Sequence, residues 1–208
     1  MNYTLQPAES VSNGIKRIVD GKIERAIEHI DGATDPHETI HEVRADLIEG
    51  RRRVPDLLIA ADGYDAVAGG VRKSYERARN QMEAAYEDPT FERFHEWHKR
   101  IKYHRYHCRL LRRVWVAPMK ARRAKLKRLS DVIGNENDLA EFATMMNDEK
   151  LFAPETRAAL TEVAVAKRSE CHRRGRPLGE QLFADSPDQL VDRLGTYWEA
   201  THEYDPDP

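Results

Sequence analysis

Acidic residues are missing from Trp97 to Ser130, a stretch that holds thirteen Lys or Arg. Cysteine is nearly absent from the 208-residue chain as well. Cys108 and Cys171 are too few for a disulfide framework and have no C-x-x-C spacing, so both are expected to be buried thiols. Aromatic residues make up only 8 %. No run approaches the roughly 20 apolar residues of a membrane span, and Met1 to Pro7 lacks a basic region followed by an apolar one. A cytoplasmic protein is the expectation. The phosphate-cradling P-loop, the dinucleotide-binding Gly-x-Gly-x-x-Gly, the His-Glu-x-x-His zinc helix and the Gly-x-Ser-x-Gly nucleophile elbow are all missing. Nucleotide hydrolysis, zinc proteolysis and α/β-hydrolase chemistry therefore have no support, and neither a catalytic residue nor a cofactor is assigned.

What the chain does have is charge, at 34 % against roughly 25 % in an average soluble protein. The net charge is only −2, so outside the basic stretch the chain carries −15. A single-sign block of this length often reads as a disordered tail. Here Ile101, Tyr103, Tyr106, Leu110, Leu111, Val114, Trp115 and Val116 recur in it at helical spacing, so it should fold. A folded positive surface on an acidic protein points to a polyanionic partner.

Apolar residues recur with a period near 3.6 along almost the whole chain, which predicts an all-α fold. Helices are expected at about 9–31, 37–60, 65–87, 91–115, 118–147, 155–174 and 186–203. Asp35-Pro36 and Asp88-Pro89 read as helix starts, with Pro118 and Pro154 opening later helices. Pro55 predicts a kink or an early end. Gly134-Asn135-Glu136-Asn137-Asp138 should break the fifth helix, with its carboxylates capping or orienting helix ends.

An internal repeat organises the chain. Glu38-Thr39-Ile40-His41-Glu42-Val43-Arg44 matches Glu92-Arg93-Phe94-His95-Glu96-Trp97-His98 at an offset of 54, and the match continues to Leu57 with Leu111. Two related helical hairpins packed as a pseudo-symmetric pair are expected, with His41 and His95 facing each other across the axis. They divide a single domain, residues 1–208, into halves of about 9–87 and 88–203.

On a helical projection His95, His98, Lys102, Arg105 and Arg109 fall within about an 80° arc. The apolar set Phe94, Trp97, Ile101, Cys108 and Leu111 adjoins this stripe. His41, Arg44 and Arg51 repeat the arrangement beside Val43, Leu47 and Val54. A stripe beside the core face should line a groove between helices, where a polyanion is held more strongly than on open surface. The second-copy stripe contains no acid that could pair at i+3 or i+4. Arg112, Arg113, Arg122 and Arg123 read instead as a solvated face, and His104 and His107 as surface or packing residues. The His pairs lack an interleaved carboxylate and sit among cations, which disfavours a metal. Cys108 lies on the apolar arc, as a packed residue rather than a nucleophile.

His95-Glu96-Trp97-His98-Lys99-Arg100-Ile101-Lys102, followed by Leu129-Ser130-Asp131-Val132-Ile133-Gly134-Asn135-Glu136-Asn137-Asp138-Leu139, resembles the CHAD family, the conserved histidine α-helical domain. His41-Glu42-Val43-Arg44, Tyr75 to Arg79 and the tail from Leu182 to Trp198 fit as well, so the resemblance spans about residues 9–203. It implies two four-helix bundles related by a pseudo-twofold, with a basic groove between them. It also implies non-enzymatic binding of inorganic polyphosphate, with polyphosphate-metabolising enzymes or storage granules as associated partners. His41, Arg44 and Arg51 correspond to the first family motif, His95, Lys99, Lys102 and Arg105 to the second, and Arg79 to the intervening helix. The expected site, completed by His98 and Arg109 of the stripe, binds polyphosphate and no metal. Ala45 and Ile48 stand where the first motif usually has Lys, and His98 where the second usually has Arg. A weakened groove follows, whose affinity rises from about pH 8 to 6 if His98 titrates near the ordinary histidine value of roughly 6.5. A nucleic-acid binder using the same surface is the alternative, without a helix-turn-helix, zinc-finger or RNA-recognition signature.

Overall fold

The computed structural model describes residues 3–6, 9–32, 38–146 and 152–203. Seven α-helices follow one another: α1 (Val11–Asp31), α2 (Glu38–Arg52), α3 (Asp65–Glu87), α4 (Phe91–Leu110), α5 (Val116–Met145), α6 (Pro154–Leu182) and α7 (Pro187–Glu203). Short 3-10 turns at Val54–Asp56 and Arg112–Val114 end α2 and α4. No strand occurs among the described residues, and no helix there is long and apolar enough to cross a membrane.

The periodicity places α3 at its observed bounds and α1, α4 and α7 to within a few residues or one closing turn, whereas α2, expected to about residue 60, ends at Arg52. Proline ends α2 as expected, because Pro55 lacks the N–H that another helical turn needs and the chain tightens into the 3-10 turn. Asp35-Pro36 lies outside the described residues. At Asp88-Pro89 the cap is neither of these but Thr90, whose hydroxyl accepts from the Arg93 N–H at 3.3 Å.

Two expectations about helix ends are corrected. α5 runs unbroken through Gly134-Asn135-Glu136-Asn137-Asp138, because tertiary partners outweigh the local turn preference. The space beside Gly134 is filled by the His98 ring, Asn137 bonds that ring, and Glu136 is buried against Arg168. α6 does not stop near residue 174 but continues through the exposed Pro177 to Leu182. Gly175 and Gly179 hold it close to its neighbours. A Cβ at Gly179 would lie 2.6 Å from Met82 Sδ and 3.0 Å from the Trp97 ring. Gly179→Ala is therefore expected to destabilise by about 1–2 kcal/mol despite the gain of roughly 1 kcal/mol in helix propensity. Chemical denaturation checks this; a more stable variant would show that the close approach is not needed.

α3, α4, α5 and α6 pack successively on one another, α1 packs on α2, and α7 lies against α3. The core sits within the α3–α6 unit, where Tyr75, Phe94, Trp97, Ile101, Leu126, Leu129 and Ile133 are fully buried. α1 adds Val11, Gly14, Ile18 and Gly21, one face at three- and four-residue spacing. Seven helices cannot fill two complete four-helix bundles; the described residues form one four-helix unit flanked by a hairpin and α7. The repeat is nevertheless visible in helix order, since α1 starts at Val11 and α3 at Asp65, α2 at Glu38 and α4 at Phe91.

Candidate polyanion site on helices α1 and α4

The cations of the first copy are neutralised across their own hairpin. Arg44 donates to Asp31 through Nε at 2.6 Å and Nη2 at 3.2 Å. Arg51 reaches Asp20 at 2.7 and 3.1 Å and Glu24 at 3.1 Å. Hydrogen bonding by each arginine holds its aspartate below the usual carboxylate range. Spacing along one helix cannot reveal such pairs, because the carboxylates are on α1. His41 is exposed on α2 and makes no hydrogen bond, ring contact or ion pair among the described residues. Arg79 also stands apart from the stripe: its Nη1 donates to the Asp185 carbonyl at 3.3 Å, and Glu83 lies 3.6 Å away.

The second copy is different. Ten of its thirteen cations between Trp97 and Ser130 have no carboxylate within ion-pair distance among the described residues; the exceptions are Lys99 and Arg100 with Glu96, and Lys127 with Asp131. Lys102, Arg105 and Arg109 of the stripe are among the ten. The exposed His95 lies 5.6 Å from the Phe91 ring. Of the cations expected to be solvated, Arg112, Arg113 and Arg123 are exposed, but Arg122 is structural. It donates to His104 Nε2 at 3.1 Å and to the Leu182 carbonyl at 2.6 Å, and lies 5.8 Å over the Tyr75 ring. His104 is buried, and burial with Arg122 beside it keeps the ring neutral. Burial pushes the Cys108 thiol up to about 11, so it is protonated and inert near neutral pH.

His98 corrects the idea of a titrating groove histidine. Its Nε2 lies 3.0 Å from Ser130 Oγ and its Nδ1 3.1 Å from Asn137 Nδ2, so the ring ties α4 to α5 through both nitrogens. Nδ1 accepts from the Asn137 amide, which leaves the proton on Nε2 for the serine oxygen. Burial first, then the charges of Lys102, His95 and Arg105, lower its pKa to about 4. The ring is neutral between pH 8 and 6, and polyanion affinity gains nothing from it there. The unfolded chain binds a proton at His98 near 6.5, above the folded value, so stability falls as pH drops through about 6.5 to 4. A ring titration followed by NMR is expected to show a midpoint near 4; a midpoint above 6 would refute this.

The residues that sequence reasoning missed lie on α1. Lys22 Nζ sits 5.6 Å from the Tyr3 ring and 5.8 Å from the Tyr106 ring, and the Arg25 guanidinium 5.0 Å from Tyr3. From α4, Arg105 lies 5.7 Å from Tyr106 and Arg109 4.7 Å from Tyr3. Four cations from two helices thus converge on two tyrosines, with no carboxylate partner among the described residues. The negative ring faces partly offset their repulsion, by about 0.5–1 kcal/mol per contact. Tyr3 is held in place by its own segment, since the Leu5 N–H donates to the Leu110 carbonyl at 3.1 Å and Arg17 to the Thr4 carbonyl at 3.0 Å. No group of three or more His, Cys, Asp or Glu able to hold a metal occurs among the described residues.

The family model of the CHAD domain matches residues 51–147, and that segment is similar to the CHAD domain. The match takes in α3, α4 with its stripe, and α5, and begins after His41 and Arg44. Arg51, Arg79 and the α4 cations lie within the matched segment, whereas Lys22 and Arg25 precede it. No curated protein and no solved structure matches the chain.

Proposed function

We propose that this protein is a non-enzymatic binder of inorganic polyphosphate, and that the polymer lies along α4 where α1 faces it. The observation that carries the reading is the set of unpaired cations at one place, Lys22 and Arg25 on α1 and Arg105 and Arg109 on α4, with Lys102 next along the α4 stripe. Such a set needs counter-charge, and a chain with one negative charge per repeat supplies it continuously. Lys and Arg donate charge-assisted hydrogen bonds to phosphate oxygens, Arg in bidentate fashion. The similarity to the CHAD domain supports the same ligand. The first-copy cations Arg44 and Arg51 contribute less, because a phosphate must displace Asp31, Asp20 and Glu24 to reach them.

Lys102→Ala/Arg105→Ala tests the reading with little risk to the fold, since neither side chain holds a carboxylate or a core position. Calorimetric titration with long-chain polyphosphate is expected to show at least a tenfold loss of affinity in this variant. Polyphosphate should also displace single-stranded DNA at equal phosphate concentration. Equal affinity for both polymers would favour a nucleic-acid binder instead, and unchanged affinity in the variant would refute the site.

A further inference from the structure

The internal repeat sets α2 beside α4 position by position, and the two helices differ in what covers them. On α4 the apolar residues Phe94, Trp97 and Ile101, with Leu111 just beyond its end, are buried where α3 and α5 pack on the helix. Their counterparts at the offset of 54 are Ile40, Val43, Leu47 and Leu57, and none of these is buried. Val43 is 47 % exposed where Trp97 is closed off, and Leu57 is 42 % exposed where Leu111 is closed off. Among the described helices only α1 packs extensively on α2, because after the turn at Val54–Asp56 the chain passes to α3, which packs on α4 and α7.

α1 extends this open face. It meets α2 through Asp20, Glu24 and Asp31, and the core through Val11, Gly14 and Ile18. On a helical projection Val19, Ile23 and Ile30 occupy the third sector, and all three stay only half-buried. The pairs Arg44 with Asp31 and Arg51 with Asp20 run the two helices antiparallel, which puts this sector and the row of Val43 and Leu47 on one side of the hairpin. Apolar residues exposed singly are ordinary, but a continuous row across two helices marks an interaction surface.

We propose that this face binds the same face of a second copy, so that two α1–α2 hairpins form a four-helix bundle about a two-fold axis. Within one chain the layer of α3 and α4 is completed by a second two-helix layer, α5 and α6. The hairpin of another copy supplies such a layer, already matched in length and polarity. Charge selects the arrangement. The edge of α2 away from α1 carries the exposed Glu42 and Asp46, so two α2 helices laid on each other would repel. The edge of α1 between its open sector and its core face carries Lys22, Ala26 and His29 and no carboxylate, so each α2 lies over the partner's α1. The size is sufficient as well. α2 has 15 residues, about 22 Å at 1.5 Å per residue, and two helices side by side are about 20 Å wide. Two such faces cover roughly 900 Å² before side-chain relief is counted, close to the roughly 1,000 Å² that a specific interface needs.

Sedimentation equilibrium of the whole protein tests the proposal without any polyanion present, since the dimer does not rest on the polyphosphate reading. At micromolar concentration the wild type is expected at about twice the 24.0 kDa of one chain. Val43→Glu should weaken association at least tenfold, because the interface would bury its charge, and leave the circular dichroism spectrum unchanged, because Val43 is open in the single chain. Val163→Glu, at an equally open valine on α6, should leave association as it is. Hydrogen exchange gives a reading that needs no variant: amides of α2, and of α1 beyond Val19, should exchange more slowly as the wild-type concentration rises, and those around Val163 should not. A wild type that keeps the mass of one chain, exchange in α2 that does not depend on concentration, a dimer that Val43→Glu leaves intact, or a loss as large in Val163→Glu would each overturn the proposal.

Discussion

Reversing Lys22 and Arg25 to glutamate is expected to weaken long-chain polyphosphate binding by a hundredfold or more while leaving helix content unchanged. Both side chains are exposed on α1, one turn beyond Val11, Gly14, Ile18 and Gly21 on the same face, and neither holds a core position, so the hairpin should still form. Hydrogen bonds to charged groups contribute about 1.5–3 kcal/mol each. Losing two amounts to roughly 3–6 kcal/mol, and about 1.4 kcal/mol is tenfold in affinity. Reversal also cancels the charge of the cluster, since two carboxylates would face Arg105 and Arg109 and could pair with them. Affinity measured at fixed salt, with circular dichroism as the folding control, checks the result. A change below threefold would mean that α1 takes no part in the site.

Replacement of Arg168 by leucine is expected to cost about 3–5 kcal/mol of stability, the loss typical when one partner of a buried ion pair is removed. Glu136 has no exposed surface, and its Oε1 accepts from Arg168 Nε at 3.0 Å and Nη2 at 2.7 Å. His172 Nε2 lies 3.3 Å from the same oxygen and stacks on Phe94 with ring centroids 4.1 Å apart, while Oε2 has no partner. The carboxylate has little to fall back on once the guanidinium is gone. For a chain of this size the melting temperature should fall by roughly 2–4 °C per kcal/mol, hence about 6–20 °C. Glu136→Leu/Arg168→Leu should be less destabilised than Arg168→Leu alone, because no lone charge stays buried. A drop of less than 2 °C in the Arg168 variant would show that the pair does not hold α5 to α6.

The helices were legible in the sequence because burial imposes its period on the apolar residues, as in α3, where Val67, Val71, Tyr75, Ala78 and Ala85 mark one face. Local rules failed where a tertiary partner outweighed them. Gly134 to Asp138 reads as a turn, yet His98 and Arg168, distant in sequence, keep those residues helical. The α4 stripe was visible as a projection, but the fate of its charges was not. Whether a cation is free depends on carboxylates of other helices, which neutralise Arg44 and Arg51 and leave Lys102, Arg105 and Arg109 alone. Lys22 and Arg25 continue the face of α1 that buries Ile18 and Gly21, but their exposure at its end has no signature along the one helix. Their role appears only when Tyr3 and Tyr106 bring them to residues more than 80 positions away. His98 reads as one more member of the stripe, and only the packing against Ser130 and Asn137 shows it to be a neutral link between helices.

The salt dependence of polyphosphate binding tests the central claim most directly. By analogy with nucleic acids, each neutralised phosphate contributes roughly −0.7 to −0.9 to the slope of log K against log salt. The four cations around Tyr3 and Tyr106 with Lys102 therefore predict a slope of about −3.5 to −4.5 for the wild type. Lys22→Glu/Arg25→Glu should bring it closer to zero by about two phosphates. A flat response in the wild type, or a slope that the variant leaves unchanged, would contradict binding of the polymer between α1 and α4.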